Sequence, residues 1–241
     1  MAATPGRGTG PHVFVDDLDR PVLSADDRHH LARSLRTRPG EPLTISDGRG
    51  RWRAARFGDE VEAVGPVVEV PRPEPALTVA LAPVKGQRPE WAVQKLTELG
   101  VDAIWLLVAD RSVVRWQGDK AAAHAARLAK VAREAAMQSR RCDLPTVRAG
   151  VPVAEAVAVP GAAMAHPGGA PPGLDRPVVL IGPEGGWSEA ELERAPGTVD
   201  LGPTVLRAET AAVVAASLLV GIRSGLVAHR PWFRGDSTEG G

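Results

Sequence analysis

A change of rhythm at residues 71–75 constrains this chain more than any other feature. The run PRPEP places three prolines in five residues, which makes a stiff extended linker and the clearest boundary in the sequence. Before it, short apolar runs are separated by turn residues. PHVFV (11–15) reads as a strand. Ser24 reads as the cap of a helix that includes HHLARSLR (29–36) and closes at Pro39-Gly40. EPLTISDGRGRWRAARFG (41–58) reads as two strands joined at Asp47-Gly48, a favoured hairpin pair, and VEAVGPVVEV (61–70) adds another. Several short strands with one helix in about seventy residues predict a small β-barrel.

After the linker, strands alternate with helices. LTVALAPV (77–84) is a continuous apolar run, the mark of a strand buried in a parallel sheet. Pro89 suits the first turn of a helix that runs to Leu99 and closes at Gly100, with Ala92, Leu96 and Leu99 on one face. AIWLLVA (103–109), AAMAH (162–166), VVLIG (178–182) and TVDLG (198–202) read as further strands, and 119–141 as a long alanine-rich helix. The last helix, from 208 to about 225, is apolar almost all round and must be buried. The fold class is therefore α/β, commonly doubly wound with ligands at the carboxyl ends of the strands. The expected organisation is a flexible leader (1–10), a barrel (11–70), a linker (71–76), an α/β domain (77–228) and a flexible tail (229–241).

Composition narrows the function classes. No apolar run reaches the ~20 residues that cross a bilayer, and Met1 to Gly10 lacks the apolar stretch of a signal peptide. The single cysteine, Cys142, can form neither an internal disulfide nor a cysteine zinc site, and is read as an inert thiol in a reducing cytoplasm. The six histidines show no metal-ligand spacing, so no metal site is expected. Net charge is zero, but it is sorted along the chain. Residues 85–148 hold 12 Lys/Arg against 7 Asp/Glu, a net of +5, and residues 150–210 hold 3 against 8, a net of −5. The basic segment fits a phosphate-binding face equally with an ordinary solvated helix surface.

Two loops carry chemistry. In IGPEGGWSEAEL (181–192) a strand ends in a glycine-rich turn, and Ser188 and Glu191 form a capping box for the next helix. Such a turn lets a ligand approach the backbone, although a tight strand-to-helix turn explains it too. In VDLGPTVLRAET (199–210) a short loop joins a strand to the apolar last helix. Val205 and Leu206 can wall an apolar slot beside Arg207. Glu209 falls in the first helical turn, where the helix dipole alone would favour an acid.

GPEGGWS followed by LGPTVLRAETA resembles the paired cofactor loops of the SPOUT methyltransferases, and in particular the family that methylates N3 of a uridine in 16S ribosomal RNA. KGQRPEWAVQKLTELGVDAI (85–104), ADRSVV (109–114), EAAMQSRR (134–141) and HHLARSLRTRPGEPLTISDG (29–48) extend the resemblance over roughly residues 11–226. It implies a deep trefoil knot in the C-terminal domain, a PUA-like RNA-binding barrel before it, and a homodimer acting on 16S ribosomal RNA or the small ribosomal subunit. It also implies S-adenosylmethionine as cofactor, held by Ala165, His166, Ile181, Gly182, Pro183, Gly185, Gly186, Leu201, Gly202, Val205 and Leu206. Two positions depart from the family pattern. Ala208 stands where a threonine is usual, and Pro11-His12 where an arginine often sits.

Methyl transfer to uridine N3 requires an aligned nucleophile, loss of the N3 proton and stabilisation of the resulting charge. Arg207 is the expected cation. Glu98 is the expected polar catalytic or positioning residue, because it sits in the last turn of its helix and three residues after Lys95, both locally poor settings. Pairing with an arginine such as Arg111 is its other explanation, and Glu209 and His166 are rival bases. The expected RNA contacts are Arg33, Arg36 and Arg38 on the barrel with Lys85, Arg88, Arg111, Arg115, Arg140 and Arg141. A SPOUT enzyme with another target (a ribose 2′-hydroxyl or guanine N1) and a non-catalytic RNA-binding adaptor are the competing readings.

Overall fold

The computed structural model describes residues 4–6, 8–86 and 88–228. The expected tail (229–241) lies outside them. In the N-terminal unit the strands are β1 (His12–Phe14), β2 (Pro42–Ser46), β3 (Arg51–Arg56) and β4 (Glu62–Glu69), hydrogen-bonded in the order β1-β2-β3-β4. β1 runs parallel to β2 and the remaining pairs are antiparallel. Alternation drives this unit: Val13, Leu43, Ile45, Ala55 and Phe57 close over Leu31 in one small core. Helix α1 (Ala25–His29) is capped by the Ser24 side chain, which accepts from Asp27 N at 3.0 Å. It continues as a π-helical turn to Ser34 and stops short of the expected boundary, since Arg36 takes the left-handed conformation (φ 54°).

In the second unit, β5 (Thr78–Leu81), α2 (Arg88–Leu99), β6 (Ala103–Val108), α3 (Gly118–Ser139), β7 (Thr146–Pro152), α4 (Val153–Val157), β8 (Ala162–Ala170), β9 (Val178–Ile181), α5 (Glu189–Glu193), β10 (Thr198–Val199) and α6 (Ala208–Arg223) follow in turn. The sheet is parallel throughout, in the order β10-β8-β9-β5-β6-β7. β7 and α4 have no counterpart in the sequence reading. TVRAGVP carries an arginine, a glycine and a proline, which an edge strand tolerates because only one of its sides is hydrogen-bonded. β10 is shorter than expected: Asp200 N still donates to the Ala170 carbonyl of β8 (2.8 Å), but its carboxylate accepts from Gly202 N (3.0 Å) and Gly168 N (2.9 Å) and turns the chain there. Gly169 lets β8 and β10 meet, since a Cβ there would lie 2.7 Å from the Val199 backbone.

α6 buries Ala208, Ala211, Ala212, Ala215, Ala216 and Leu219 in a core shared with β5, β9 and α2. Val213, Val214 and Leu218 on its other side remain half-exposed, so within one chain the helix is covered on one face only. No helix among the described residues is long and apolar enough to cross a membrane.

The two units are joined by the end of α3. Arg133 donates to both oxygens of Asp27 (2.9 and 2.7 Å) and to the Phe14 carbonyl (3.1 Å). Arg140, itself left-handed (φ 59°), donates to Thr9 Oγ1 (3.1 Å) and the Gly10 carbonyl (2.6 Å). These two acceptors belong to the segment expected to be a flexible leader. Arg141 donates to the carbonyls of Thr97 (2.9 Å) and Val101 (2.8 Å) and to Asp143 (2.6 Å). His12, one of the departures from the family pattern, is buried in the same seam. Its Nε2 donates to the Arg141 carbonyl (3.0 Å), which leaves Nδ1 to accept from Thr44 Oγ1 (2.8 Å). Burial lowers its pKa to about 4. Cys142, buried in this junction, is a free thiol whose pKa burial raises to about 12.

This corrects the assignment of Arg140 and Arg141 to RNA contact: their donors are engaged inside the molecule. Arg141→Ala should cost about 3 kcal/mol, because it strands buried carbonyls and Asp143, and should lower Tm by roughly 6–10 °C; an unchanged melting curve would show that the junction does not depend on it. His12 gives a pH signature. A histidine whose folded pKa is depressed favours the neutral form, so its contribution is present above its ordinary value of 6.5 and is lost as pH falls towards 4. Denaturant titrations between pH 7 and pH 4 should show a decline that His12→Gln flattens.

Candidate functional site

The loops that leave the carboxyl ends of β8, β9 and β10 converge on one open cavity of about 620 Å³. Ile181 ends β9, and the chain turns through Gly182, Pro183 and Glu184. Gly182 must lack a side chain, because a Cβ would sit 3.0 Å from the Trp187 indole. Gly186 turns the loop at φ +71°. Trp187 is buried beneath the loop and donates from Nε1 to the Ala165 carbonyl (3.0 Å), tying the end of the β9 loop to the end of β8. The predicted capping box is present: Ser188 Oγ accepts from Glu191 N (3.2 Å) and Glu191 Oε2 accepts from Ser188 N (2.8 Å). The third wall runs from Asp200 through Leu201, Gly202, Thr204, Val205 and Leu206 to Arg207, then into α6 at Ala208 and Ala211. Ala208 is buried and contributes a methyl group to that wall.

Ten of the eleven residues expected to hold a cofactor line this cavity: Ala165, His166, Ile181, Gly182, Pro183, Gly186, Leu201, Gly202, Val205 and Leu206. Gly185 does not. It lies against Arg111, whose Nη1 donates to the Gly185 carbonyl (3.2 Å). Sequence reading missed Asp200 and Trp187 as elements of the cavity, while Thr204 lies inside the second expected cofactor loop. Asp200 had a legible signal, an aspartate followed two residues later by glycine at a strand end, the pattern in which a carboxylate bonds local backbone N–H groups. Those bonds hold its pKa below the usual aspartate value. Trp187 had none, since a tryptophan after a glycine turn packs anywhere.

The cations are distributed unevenly. Arg207 and Arg111 line the cavity, and Arg207 has no ion-pair partner among the described residues. Arg88 lies between Glu184 of the glycine loop (3.2 Å) and Glu209 of α6 (3.7 Å). Glu209 is buried, outside the cavity lining, and its Oε2 has no hydrogen-bond partner. His166 lines the cavity; its Nδ1 donates to the Pro167 carbonyl (2.8 Å), which leaves Nε2 as an acceptor. Lys85 is exposed on the loop after β5, and Arg115 folds back onto the carbonyls of Ser112 and Asp110. Arg33, Arg36 and Arg38 are exposed on the N-terminal unit.

Glu98 is not brought to this site. α2 starts beside the carboxyl end of β5 and its 12 residues extend about 18 Å at 1.5 Å each, so its last turn lies at the opposite edge of the sheet, near the start of β6. There Glu98 accepts from Lys95 Nζ at 3.0 and 2.8 Å. The unfavourable order on the helix is thus satisfied locally, and Glu98 is not among the residues that line the cavity.

Comparison with known proteins agrees with this arrangement. A family described as RNA methyltransferase domain matches residues 72–220, and one described as RNA methyltransferase PUA domain matches residues 23–60. The chain is similar to the ribosomal RNA small subunit methyltransferase E of Mycobacterium bovis, with 34% identity over 80% of this chain and 83% of that protein. It is also similar to the protein of that name from Synechocystis, with 31% identity over 80% of this chain and 70% of that one. Among solved structures, the Neisseria gonorrhoeae ribosomal RNA small subunit methyltransferase E bound to S-adenosyl methionine superposes with a TM-score of 0.70, at 28% identity over 88% of this chain and 97% of that one. A family match over most of the second unit and relatives of more than 30% identity spanning both units make this chain a member of the RNA methyltransferase family to which the ribosomal RNA small subunit methyltransferases E belong.

Proposed function

We propose that this protein methylates N3 of a uridine in 16S ribosomal RNA, with S-adenosylmethionine as the methyl donor. The observation that carries the reading is the single cavity formed by the two glycine-containing loops and the end of β8, together with the solved relative described as bound to that cofactor. The residues present fit such a group. The volume lies within the ~300–1,000 Å³ typical of small-molecule sites, the walls at Ile181, Leu201, Leu206 and Ala211 are apolar, and at Gly182 and Gly202 the lining carries no side chain beyond the backbone.

Bound there, S-adenosylmethionine supplies an electrophilic methyl group on a sulfonium, open to direct displacement. The chain's part is to align the base, take its proton and stabilise the charge. Arg207, at the cavity and without an ion-pair partner, stabilises the anion that forms as N3 loses its proton. His166 Nε2 accepts that proton, being the one imidazole acceptor on the lining. Glu209 holds Arg88 rather than acting on the base. RNA is gripped by Lys85, Arg88, Arg111 and Arg115 around the cavity and by Arg33, Arg36 and Arg38 on the N-terminal unit, which we read as a PUA-like barrel.

The C-terminal part is read as a trefoil knot. β8 and β10 lie beyond β9 in the sheet, yet the chain returns from β10 to pack α6 against α2 and β5. The protein is read as a cytoplasmic homodimer, because the half-exposed Val213, Val214 and Leu218 of α6, with Trp91 at 44% exposure on α2, leave an apolar face for a second copy. The domains are read as 11–70 and 77–228 joined by the linker 71–76.

Three outcomes check these statements. Calorimetry with chelator present should detect binding of S-adenosylmethionine or its demethylated product, and Gly182→Val should abolish that binding while the protein still melts cooperatively; no heat with the unaltered protein removes the reading. Incubation with labelled cofactor and small-subunit RNA or particles should yield N3-methyluridine, with Arg207→Ala and His166→Gln each lowering kcat roughly 100-fold. A labelled ribose or guanine would assign another target, and an unaffected His166→Gln enzyme would remove that residue from proton transfer. In sedimentation at micromolar concentration the protein should run at twice 25.3 kDa; an active monomer would dispose of the dimer.

A further inference from the structure

The loop after β6 and the loop after β9 are stitched together by bonds that a helix cap alone would not require. Glu191 is 4% exposed. One of its carboxylate oxygens completes the capping box of α5, while the other, Oε1, accepts from the backbone N–H of Asp110 (2.9 Å), 81 residues earlier. Ser188, the partner in the box, donates from Oγ to Asp110 Oδ2 (2.6 Å). The next residue, Arg111, lines the cavity and bonds the Gly185 carbonyl. A Cβ on Gly185 would already touch the Arg111 side chain at 3.4 Å, so the two loops are in van der Waals contact as well. Arg115 in turn wraps onto the Asp110 carbonyl.

We propose that Glu191 is a positioning residue: by holding the backbone of Asp110 it fixes Arg111 against the glycine-rich loop, and so couples RNA contact at the basic loop 110–115 to cofactor occupancy of the cavity. The inference rests on the cofactor reading above. The physical basis is that a buried carboxylate accepting two backbone N–H groups from different loops cannot release one loop without leaving an unpaired charge-bearing oxygen. A ligand that orders the glycine loop therefore orders Arg111 and the backbone beneath Arg115, and linkage requires that RNA binding favour cofactor binding by the same factor. Gln in place of Glu191 has nearly the same shape but offers one acceptor and one donor to two N–H groups, so one of the two bonds must fail.

The test is a double-mutant cycle. Cofactor affinity is measured by calorimetry with S-adenosylhomocysteine, and affinity for a small-subunit RNA fragment by fluorescence anisotropy with and without S-adenosylhomocysteine. The proteins compared are the unaltered chain, Glu191→Gln, Arg111→Ala and the double variant. Glu191→Gln should weaken cofactor binding roughly tenfold, the equivalent of one charge-assisted hydrogen bond, and should abolish the enhancement of RNA binding by cofactor. In the Arg111→Ala background it should add little further loss, because it acts through that residue. A cap with only a structural role would lower Tm and multiply with Arg111→Ala, and that result overturns the proposal. Should Glu191→Gln not fold, Arg111→Ala by itself serves instead. It leaves both bonds of the capping box and the Glu191–Asp110 bond in place and removes only the side chain through which Glu191 is proposed to act, so enhancement of RNA binding by S-adenosylhomocysteine should fall without a shift in Tm; an intact enhancement overturns the proposal. If the unaltered protein binds no S-adenosylhomocysteine, it is the cofactor reading that fails.

Discussion

A helix as apolar as α6, whose charges stand only in its first and last turns, has to be covered, and the way it is covered organises the second unit of the molecule. Its alanines and Leu219 pack on α2, β5 and β9, near the middle of the sheet. The strand before it, β10, lies at the sheet's far edge. The chain must therefore cross from edge to centre in the eight residues between Val199 and Ala208. That crossing is the wall of the cavity. Asp200 starts it by bonding backbone N–H groups of the two adjacent segments through its carboxylate, and Arg207 finishes it at the helix entrance. Burial of an apolar helix thus delivers a cation and an apolar loop to the carboxyl ends of β8 and β9, where parallel sheets present ligand sites.

A second constraint joins the two units. Arg133, Arg140 and Arg141 stand at the end of one helix and reach three different places: the helix of the N-terminal unit, the segment preceding β1, and the carbonyls around the end of α2. Guanidinium groups suit this because their fork of donors satisfies several acceptors at once. Arg140 holds a left-handed backbone, an arrangement that disfavours non-glycine residues by about 1–2 kcal/mol and here is braced by the side chain's own bonds. The same residues that make segment 85–148 basic by count are therefore partly internal. A charge tally treats every arginine as solvated surface, and at this junction that assumption fails. Lys85, Arg88, Arg111 and Arg115 around the cavity, and Arg33, Arg36 and Arg38 on the N-terminal unit, do remain exposed.

Local chemistry made much of the fold legible before any coordinates. The proline linker, the Ser24 and Ser188 caps, the Gly100 helix stop and the apolar runs of β5, β6 and β9 each follow from short-range rules, and each is present at or near its expected position. The two glycine loops were legible for the same reason, since a turn that admits a ligand needs glycine where the backbone approaches closely. β7 and α4 were not, because an edge strand broken by proline and glycine has no periodic signal apart from the neighbour it pairs with.

What the sequence determined by itself is therefore most of the elements, β7 and α4 excepted, their order, and the two glycine-containing loops: these depend on contacts within a few residues. What only the tertiary structure decided is which side chains face the same space. Glu98 looked misplaced on its helix and proved to be paired with Lys95 at the wrong end of the sheet. Gly185 belonged to the right loop but is off the lining, its place beside the cavity taken by the Arg111 side chain that bonds its carbonyl. Trp187, with nothing in its neighbours to distinguish it, became the floor of the site, and Asp200, whose local pattern foretells only the bond to Gly202, also ties in Gly168, 32 residues earlier. Direction along a helix and facing across a loop are set by packing between segments distant in sequence, and no local pattern of residues encodes them.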